Sequence, residues 1–256
     1  MSDTRYISTR GEAPELGFED VVLAGLARDG GLYLPADWPR FEHDEIASFA
    51  GRPFHEIAAA VIAPFAIGAF TRDELTALAR DAYSGFGHTA VTPLAQLTPN
   101  RFVLELFHGP TLAFKDVAMQ FLSRLMDRIL AARNARATIV CATSGDTGGA
   151  AVEAFRGAHN VDIVVLFPEG RVSDVQRRMM TTPDEANVHA LSIRGTFDDC
   201  QALVKAMFND LAFRDRVALS GVNSINWARV VPQVSYYFAA AVALGAPHRP
   251  VSFTVP

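Results

Sequence analysis

Apolar residues in the middle of the chain recur at the spacing of one helix face. From residue 114 onward they stand three and four positions apart, at Phe114, Val117, Ala118, Phe121, Leu122, Leu125, Met126, Ile129 and Leu130. This stripe predicts a long amphipathic helix. One lysine, Lys115, lies beside the stripe at the start of the helix, just after a Gly-Pro turn.

Short apolar runs alternate with helical patterns from residue 101 onward. The runs predict strands at residues 102–106, 137–142, 161–167, 188–193 and 251–255. The patterns between them predict helices at residues 149–155, 174–180, 197–213 and 226–244. Ser173 and Gln176 have the spacing of a capping box at the start of the second of these helices. Continuous apolar strands that alternate with helices indicate a largely parallel sheet covered on both faces.

Residues 1–90 have a different pattern and are predicted to be mostly helical. A short helix is expected at residues 18–27, ended by Asp29-Gly30-Gly31, and an extended piece at residues 32–35. Thr71 and Glu74 form a capping-box pattern that begins a helix toward Tyr83.

Composition narrows the functional classes. The chain has 256 residues, half of them apolar, and a formal net charge of −5 without a basic run, which argues against nucleic-acid partners. Two cysteines fit a reducing compartment rather than a disulfide framework. The sequence contains no membrane-length apolar stretch and no signal-peptide pattern. We therefore expect a cytoplasmic protein that has no membrane partner and acts on a small molecule, with an oligomer as an open alternative.

The position of Lys115 suggests a chemical role for its amine. The helix dipole disfavours a cation at a helix N-terminus, and partial burial disfavours it further. Both effects favour the neutral, nucleophilic amine that a Schiff-base lysine needs. The alternative is a solvated surface lysine, which is common at helix starts.

A second feature is the loop Ala142-Thr-Ser-Gly-Asp-Thr-Gly-Gly149, which follows a predicted buried strand and begins a helix. Backbone amides at such a position bind anions, and the hydroxyls of Ser144 and Thr147 add donors. The loop lacks the glycine and lysine spacing of nucleotide-binding motifs. It is interpreted either as a cradle for a substrate carboxylate or as an ordinary helix cap.

Three further groups are weaker candidates. Polar residues in the run Asn223-Ser-Ile-Asn-Trp-Ala-Arg229 favour a site-lining role over a plain helix cap. Arg171, Arg177 and Arg178 could hold a substrate phosphate, although a solvated helix face explains them better. His108 fits a proton shuttle and a hydrogen-bonded turn equally well. The remaining histidines lack metal-ligand spacing, so no metal site is expected.

These motifs resemble one enzyme superfamily. The run from His108 to Asp116 (His-Gly-Pro-Thr-Leu-Ala-Phe-Lys-Asp) resembles the pyridoxal-phosphate (PLP) attachment site of the serine/threonine dehydratase and threonine synthase superfamily, in its threonine synthase form. Residues 6–11, 29–35, 142–148 and 223–229 are similar to further threonine synthase signatures. The resemblance implies an α/β, fold type II PLP enzyme of the tryptophan synthase β-like architecture, with largely parallel sheets, a mostly helical N-terminal region and an incomplete large domain.

The resemblance also implies roles for individual residues. Lys115 would be the catalytic residue and would hold PLP as a Schiff base. Asp146 would bind the cofactor at a position where many relatives have an asparagine facing the ring hydroxyl. Substrate binding would fall to Thr143, Ser144, Gly145, Thr147, Gly148, Asn226 and Arg229. The implied reaction converts O-phospho-L-homoserine and water to L-threonine and phosphate, in threonine biosynthesis.

The resemblance implies a division into four segments. Residues 1–90 would form the N-terminal region, residues 91–135 the lysine-bearing part of the large domain, residues 136–220 a small α/β domain and residues 221–256 a return to the large domain. In the family, the strand expected at 251–255 leads into a Gly-Asn-Phe-Gly-type loop that binds the cofactor phosphate, and this sequence does not contain it. A fragment with weak cofactor binding and little turnover is therefore expected. The alternatives are a related PLP phospholyase or dehydratase, and a non-catalytic folding or interaction module.

Overall fold

The N-terminal part of the chain combines a small antiparallel sheet with four α-helices. The structure, a computed structural model, describes residues 3–255. The elements up to residue 83 are β1 (Arg5–Ser8), β2 (Leu16–Gly17), α1 (Phe18–Ala24), β3 (Tyr33–Pro35), α2 (His43–Ala47), α3 (Phe54–Ile62), a short 3-10 helix (Ala63–Phe65) and α4 (Arg72–Tyr83). β1 pairs with both β2 and β3.

Two predictions for this part can be compared with the structure directly. The capping box is confirmed, since Thr71 accepts a hydrogen bond from the amide of Glu74 and the Glu74 carboxylate accepts one from the amide of Thr71. The first helix is shorter than the predicted 18–27. It ends at Ala24 because Gly25 adopts a φ of 65°, where a side chain would also meet the backbone of Gly221 at 2.8 Å.

The next segment carries a hairpin and the central helix. β4 (Leu94–Thr98) pairs antiparallel with β5 (Arg101–Leu104), and α5 (Asp116–Ala132) follows. The strand predicted at 102–106 is therefore β5, shifted by one residue at its start and two at its end. The amphipathic stripe is confirmed, because its members from Val117 to Leu130 are all buried.

The second half of the chain contains a parallel four-stranded sheet and the helices that cover it. Its elements are β6 (Ala137–Ala142), α6 (Asp146–Phe155), β7 (Val161–Pro168), α7 (Asp174–Thr181), β8 (Val188–Ile193), α8 (Phe197–Asn209), α9 (Leu211–Arg216) and β9 (Leu219–Ser220). The strand order is β8-β7-β6-β9, and all three pairings are parallel. The predicted strands 137–142 and 188–193 have the same bounds as β6 and β8.

Both faces of this sheet are covered, as predicted. Ile139 and Cys141 of β6 pack into the main core, which also contains residues of α5 and α6. Val140 and Ala142, which alternate with them, pack with Cys200 of α8 in a second core. Helices on both faces explain why the strands have continuous apolar sequences.

Two predictions in the second half are wrong. The predicted helix 197–213 is divided at Asp210, whose carboxylate accepts a hydrogen bond from the amide of Phe213 and so caps α9. Residues 251–255, predicted as a strand, pair with no strand of residues 3–255. The segment instead follows α10 (Trp227–Ala243), and its Phe253 ring packs 4.9 Å from that of Tyr237.

The main core is continuous along most of the chain. It contains Tyr6 of β1, Phe121 of α5, Val165 of β7 and Trp227 of α10. The helices of residues 3–255 are all too short or too polar to cross a bilayer.

Candidate active site

The loop before Lys115 is fixed by the carboxylate of Asp116. This carboxylate accepts hydrogen bonds from the amide of Thr111 at 2.8 Å and from its hydroxyl at 2.6 Å. Gly109 lies so close that a side chain there would meet the Cβ atom of Asp116 at 2.4 Å. Burial raises the pKa of Asp116, although the hydrogen bonds from Thr111 oppose this. The loop therefore fixes the position of Lys115, which is the N-cap residue of α5.

The amine of Lys115 has a charged partner that the sequence argument did not include. Its Nζ atom lies 3.6 Å from a carboxylate oxygen of Asp146 and 4.4 Å from the centre of the Phe114 ring. The other carboxylate oxygen of Asp146 accepts a hydrogen bond from the side chain of Gln176 on α7. These contacts position the amine, and the lysine side chain is only 19% exposed.

The loop between β6 and α6 is held by Thr143. The buried hydroxyl of this residue accepts hydrogen bonds from the amides of Gly145 and Gly148, both at 2.9 Å. Gly145 has a φ of 145°, a conformation that side-chain-bearing residues rarely adopt. The loop is thus closed on itself by a side chain at the end of β6.

Three amides of this loop remain available to a ligand. Within residues 3–255, the N–H groups of Ser144, Asp146 and Thr147 make no hydrogen bond. They lie at the N-terminus of α6, where the helix dipole favours an anion. The arrangement therefore suits a carboxylate or phosphate oxygen.

A cavity of about 260 Å³ brings these features together. It is lined by Phe114, Lys115, Ala142, Thr143, Ser144, Thr147, Phe197, Asn223, Ser224, Arg229 and Gln233. Five of the predicted site residues therefore surround one space, namely Lys115, Thr143, Ser144, Thr147 and Arg229.

Arg229 is the least satisfied group in this cavity. The residue is only 5% exposed, and its guanidinium makes no hydrogen bond or ion pair within residues 3–255. Burial lowers its pKa to about 10, against the opposing effects of Tyr236 and Asp116, so the group is still charged at neutral pH. A buried cation without a hydrogen bond or an ion pair costs free energy, which an anionic ligand would recover.

The other predicted site residues have different positions. Asp146 does not line the cavity, but its carboxylate contacts the amine of Lys115, which does. Gly145 and Gly148 determine the shape of the loop. Asn226 does not line the cavity. Its amide nitrogen donates to the carbonyl oxygens of Val22 and Gly221, and its oxygen accepts from the amide of Ala228. The prediction that Asn226 binds substrate is therefore not supported, because its side chain is used in capping α10 and joining it to α1.

Two of the three weaker candidate groups lie away from the cavity. His108 is hydrogen bonded to Glu105 at 2.8 Å, as expected of a turn residue. Arg171, Arg177 and Arg178 are exposed, and Arg177 pairs with Asp174 on its own helix. No group of three or more possible metal ligands occurs within residues 3–255.

Several contributors to the site were not predicted. Phe114 and Phe197 line the cavity, and Gln176 supports Asp146. Asn223 and Ser224 also line the cavity, which agrees with the site-lining role favoured for the polar residues of the run from Asn223 to Arg229. The sequence marked Gln176 only as part of the predicted capping box at the start of its helix. Its contact with Asp146 was not predictable, because a contact between two helices produces no local sequence pattern.

Comparisons with known proteins agree with this geometry. The threonine synthase N-terminal family matches residues 5–83, and the pyridoxal-phosphate dependent enzyme family matches residues 84–251. A threonine synthase of Pseudomonas aeruginosa is 56% identical over 252 residues, covering 98% of this chain and 54% of the relative. A threonine synthase-like 2 protein of Rattus norvegicus is 39% identical over 236 residues, covering 92% and 49%.

Solved structures give the same result. The PLP-bound threonine synthase of Brucella melitensis superimposes with a TM-score of 0.92 at 63% sequence identity, covering 98% of this chain and 54% of that one. The chain thus spans about half the length of the relatives that it matches. Since the two family matches together extend over residues 5–251, the chain belongs to the pyridoxal-phosphate-dependent enzymes, in the threonine synthase family.

Proposed function

We propose that this chain carries the lysine-bearing part of a threonine synthase. The whole enzyme would convert O-phospho-L-homoserine and water to L-threonine and phosphate. The observation that carries the proposal is the joint presence of the Lys115 amine and the unpaired Arg229 guanidinium in one cavity. A nucleophilic amine and an anion site are what an aldehyde cofactor and an anionic amino acid require.

The residues around the cavity fit PLP as the cofactor. Lys115 would attach the group through its amine, and Asp146 would lie beside the attachment point. When bound, PLP supplies an electron sink for a carbanion at the substrate α carbon. Lys115, once released by the substrate amine, would move protons at the α and β carbons, while its contact with Asp146 fixes where the amine returns.

Two anion-binding groups suit a substrate with two anionic ends. The free amides of Ser144, Asp146 and Thr147, together with the hydroxyls of Ser144 and Thr147, would hold the carboxylate. Arg229 would neutralise a further negative charge in the same cavity. Thr143, Gly145 and Gly148 would contribute by keeping the loop in its anion-binding shape.

Reductive trapping tests the proposal on this chain. The chain contains only two lysines, Lys115 and the exposed Lys205. After incubation with PLP and reduction with borohydride, peptide mass spectrometry should find the adduct on Lys115. The K115R variant should lose the adduct and K205R should keep it. Labelling confined to Lys205 or to the N-terminal amine would contradict the proposal.

A related lyase activity is the second candidate, because the matched relatives include proteins named threonine synthase-like 2. Incubation of the full-length protein with O-phospho-L-homoserine separates the two. L-threonine as the product supports threonine synthase, whereas 2-oxobutyrate without threonine supports the phospholyase or dehydratase.

We place the protein in the cytoplasm. Both cysteines are unpaired and buried, as in proteins of reducing compartments.

A further inference from the structure

A second cleft, here named the arginine cleft, lies far from Lys115. It has a volume of about 390 Å³ and lies between α1, the end of α5, the start of β6 and α9. Four arginines line it, namely Arg28, Arg133, Arg136 and Arg214. The apolar part of its wall includes Pro14, Leu16, Leu23, Leu26, Leu130 and Leu219.

Arg214 is the buried member of this group. The residue is 6% exposed, and its Nη2 atom donates hydrogen bonds to the carbonyl oxygens of Ala24 and Leu26. Its Nε and Nη1 atoms make no hydrogen bond within residues 3–255, yet they are not fully enclosed. Two donors of a fixed guanidinium fork therefore remain available at the cleft.

Within residues 3–255, three of the four cleft arginines are paired with carboxylates, and Arg214 is not. Arg28 pairs with Asp215, Arg133 with Asp20 and Glu19, and Arg136 with Asp162, which does not line the cleft. Arg214 has no carboxylate within ion-pair distance among the described residues. Burial, followed by the charge of Arg28, lowers the pKa of Arg214, and the charges of Asp215 and Tyr33 oppose this.

We propose that the arginine cleft binds a small organic oxyanion, a phosphate monoester or a carboxylate carried on an apolar group. The Arg214 fork matches the geometry of these oxyanions, and the leucines provide a surface for the apolar part. The site is separate from the candidate active site. Ala137, at the start of β6, lines the cleft, and Ala142, at its end, lines the Lys115 cavity, so the two sites lie about 17 Å apart along the strand.

Arginine side-chain NMR tests this proposal on the whole chain. In 15N-labelled protein, the Nε–Hε resonance of Arg214 is assigned by its loss in R214K. Titration with phenyl phosphate and, separately, benzoate should shift this resonance along a saturable curve, while benzyl alcohol should not. The stronger of the two anions identifies the preferred oxyanion. An unchanged Arg214 resonance, or an equal response to the alcohol, would overturn the proposal.

A pair of variants tests whether the probe binds in the arginine cleft. R136Q removes one cleft cation and should weaken binding of the preferred probe about threefold, the effect of a partly exposed charge. R128Q is the control, because Arg128 is exposed to the same extent (60% against 58% of the side chain) and pairs with Glu74 outside the cleft. Equal affinities in the two variants would contradict the cleft as the site. The Arg229 resonance reports binding at the Lys115 cavity separately, so failure here leaves the proposed function standing.

Discussion

At the scale of single residues, the site is characterised by two cationic side chains that have few or no anionic partners among the described residues. Lys115 has one carboxylate at 3.6 Å, and Arg229 has none within ion-pair distance in residues 3–255. Motifs in the sequence predicted both residues, because each belongs to a run with a distinctive order. The link from Asp146 to Gln176 was not predictable, since it joins side chains 30 positions apart that only the packing of α7 on α6 brings together.

Replacing Arg229 should separate stability from ligand binding. The R229M variant removes an unpaired buried charge and keeps most of the side-chain volume, so the free energy of unfolding should rise by about 1 to 3 kcal/mol. Binding of inorganic phosphate at the Lys115 cavity should weaken at the same time. Urea denaturation and phosphate titration measure the two effects.

A matched control for this experiment is R178M. Arg178 is exposed on α7, so its replacement should leave both quantities nearly unchanged. A marked loss of stability in R229M, beyond that in R178M, would mean that Arg229 is held by contacts other than those described above.

At the scale of elements, prediction succeeded where burial dictates the pattern. β6 was predicted to the residue because a strand of a covered parallel sheet is a continuous apolar run with clear limits. β8 was also predicted to the residue, although it is an edge strand with the partly apolar sequence Val-His-Ala-Leu-Ser-Ile and none of its residues is fully buried. The short strands β1, β2, β4 and β9 were not predicted. They contain two to five residues each, and their pairing partners are distant in sequence or, for β4, joined through an irregular register. The break at Asp210 was missed because the apolar stripe continues across it.

The start of α6 gives a prediction at this scale. A side chain at Gly148 would meet Met180 and Thr143 at 2.5 Å and Val165 at 2.9 Å, so G148A should reduce the free energy of unfolding by about 1 to 3 kcal/mol. The neighbouring variant G149A is the control. Its new methyl group would meet only Met179, at 3.5 Å, and alanine is favoured over glycine inside a helix by about 1 kcal/mol.

Urea denaturation of the two variants measures the difference. G149A should be as stable as the parent or more so. If both variants lost stability equally, the close packing of α6 against β7 and α7 at Gly148 would not be the cause.

At the scale of the whole molecule, the predicted division into four segments remains a proposal. The mostly helical start and the later strand–helix alternation were visible in the sequence, because local periodicity reports them. The main core, however, joins residues from β1 to α10, including members of all four segments. Periodicity reports which face of an element is buried but not which other element covers it, so this continuity was not predictable.

The continuous core leads to an expectation about unfolding. Cys141 on β6 and Trp227 on α10 are both buried in the main core, so they should become exposed in one cooperative transition. In a C200A/W38F background, Cys141 is the only thiol and Trp227 the only tryptophan. Burial raises the pKa of Cys141 to about 12, which makes it unreactive in the folded protein. Its labelling by a thiol reagent and the tryptophan fluorescence should therefore change at the same urea concentration. Labelling at a lower urea concentration than the fluorescence change would show that the parallel sheet unfolds independently. In that case Trp227 and its aromatic neighbours Tyr6 and Phe65 would keep their packing after β6 has lost its own.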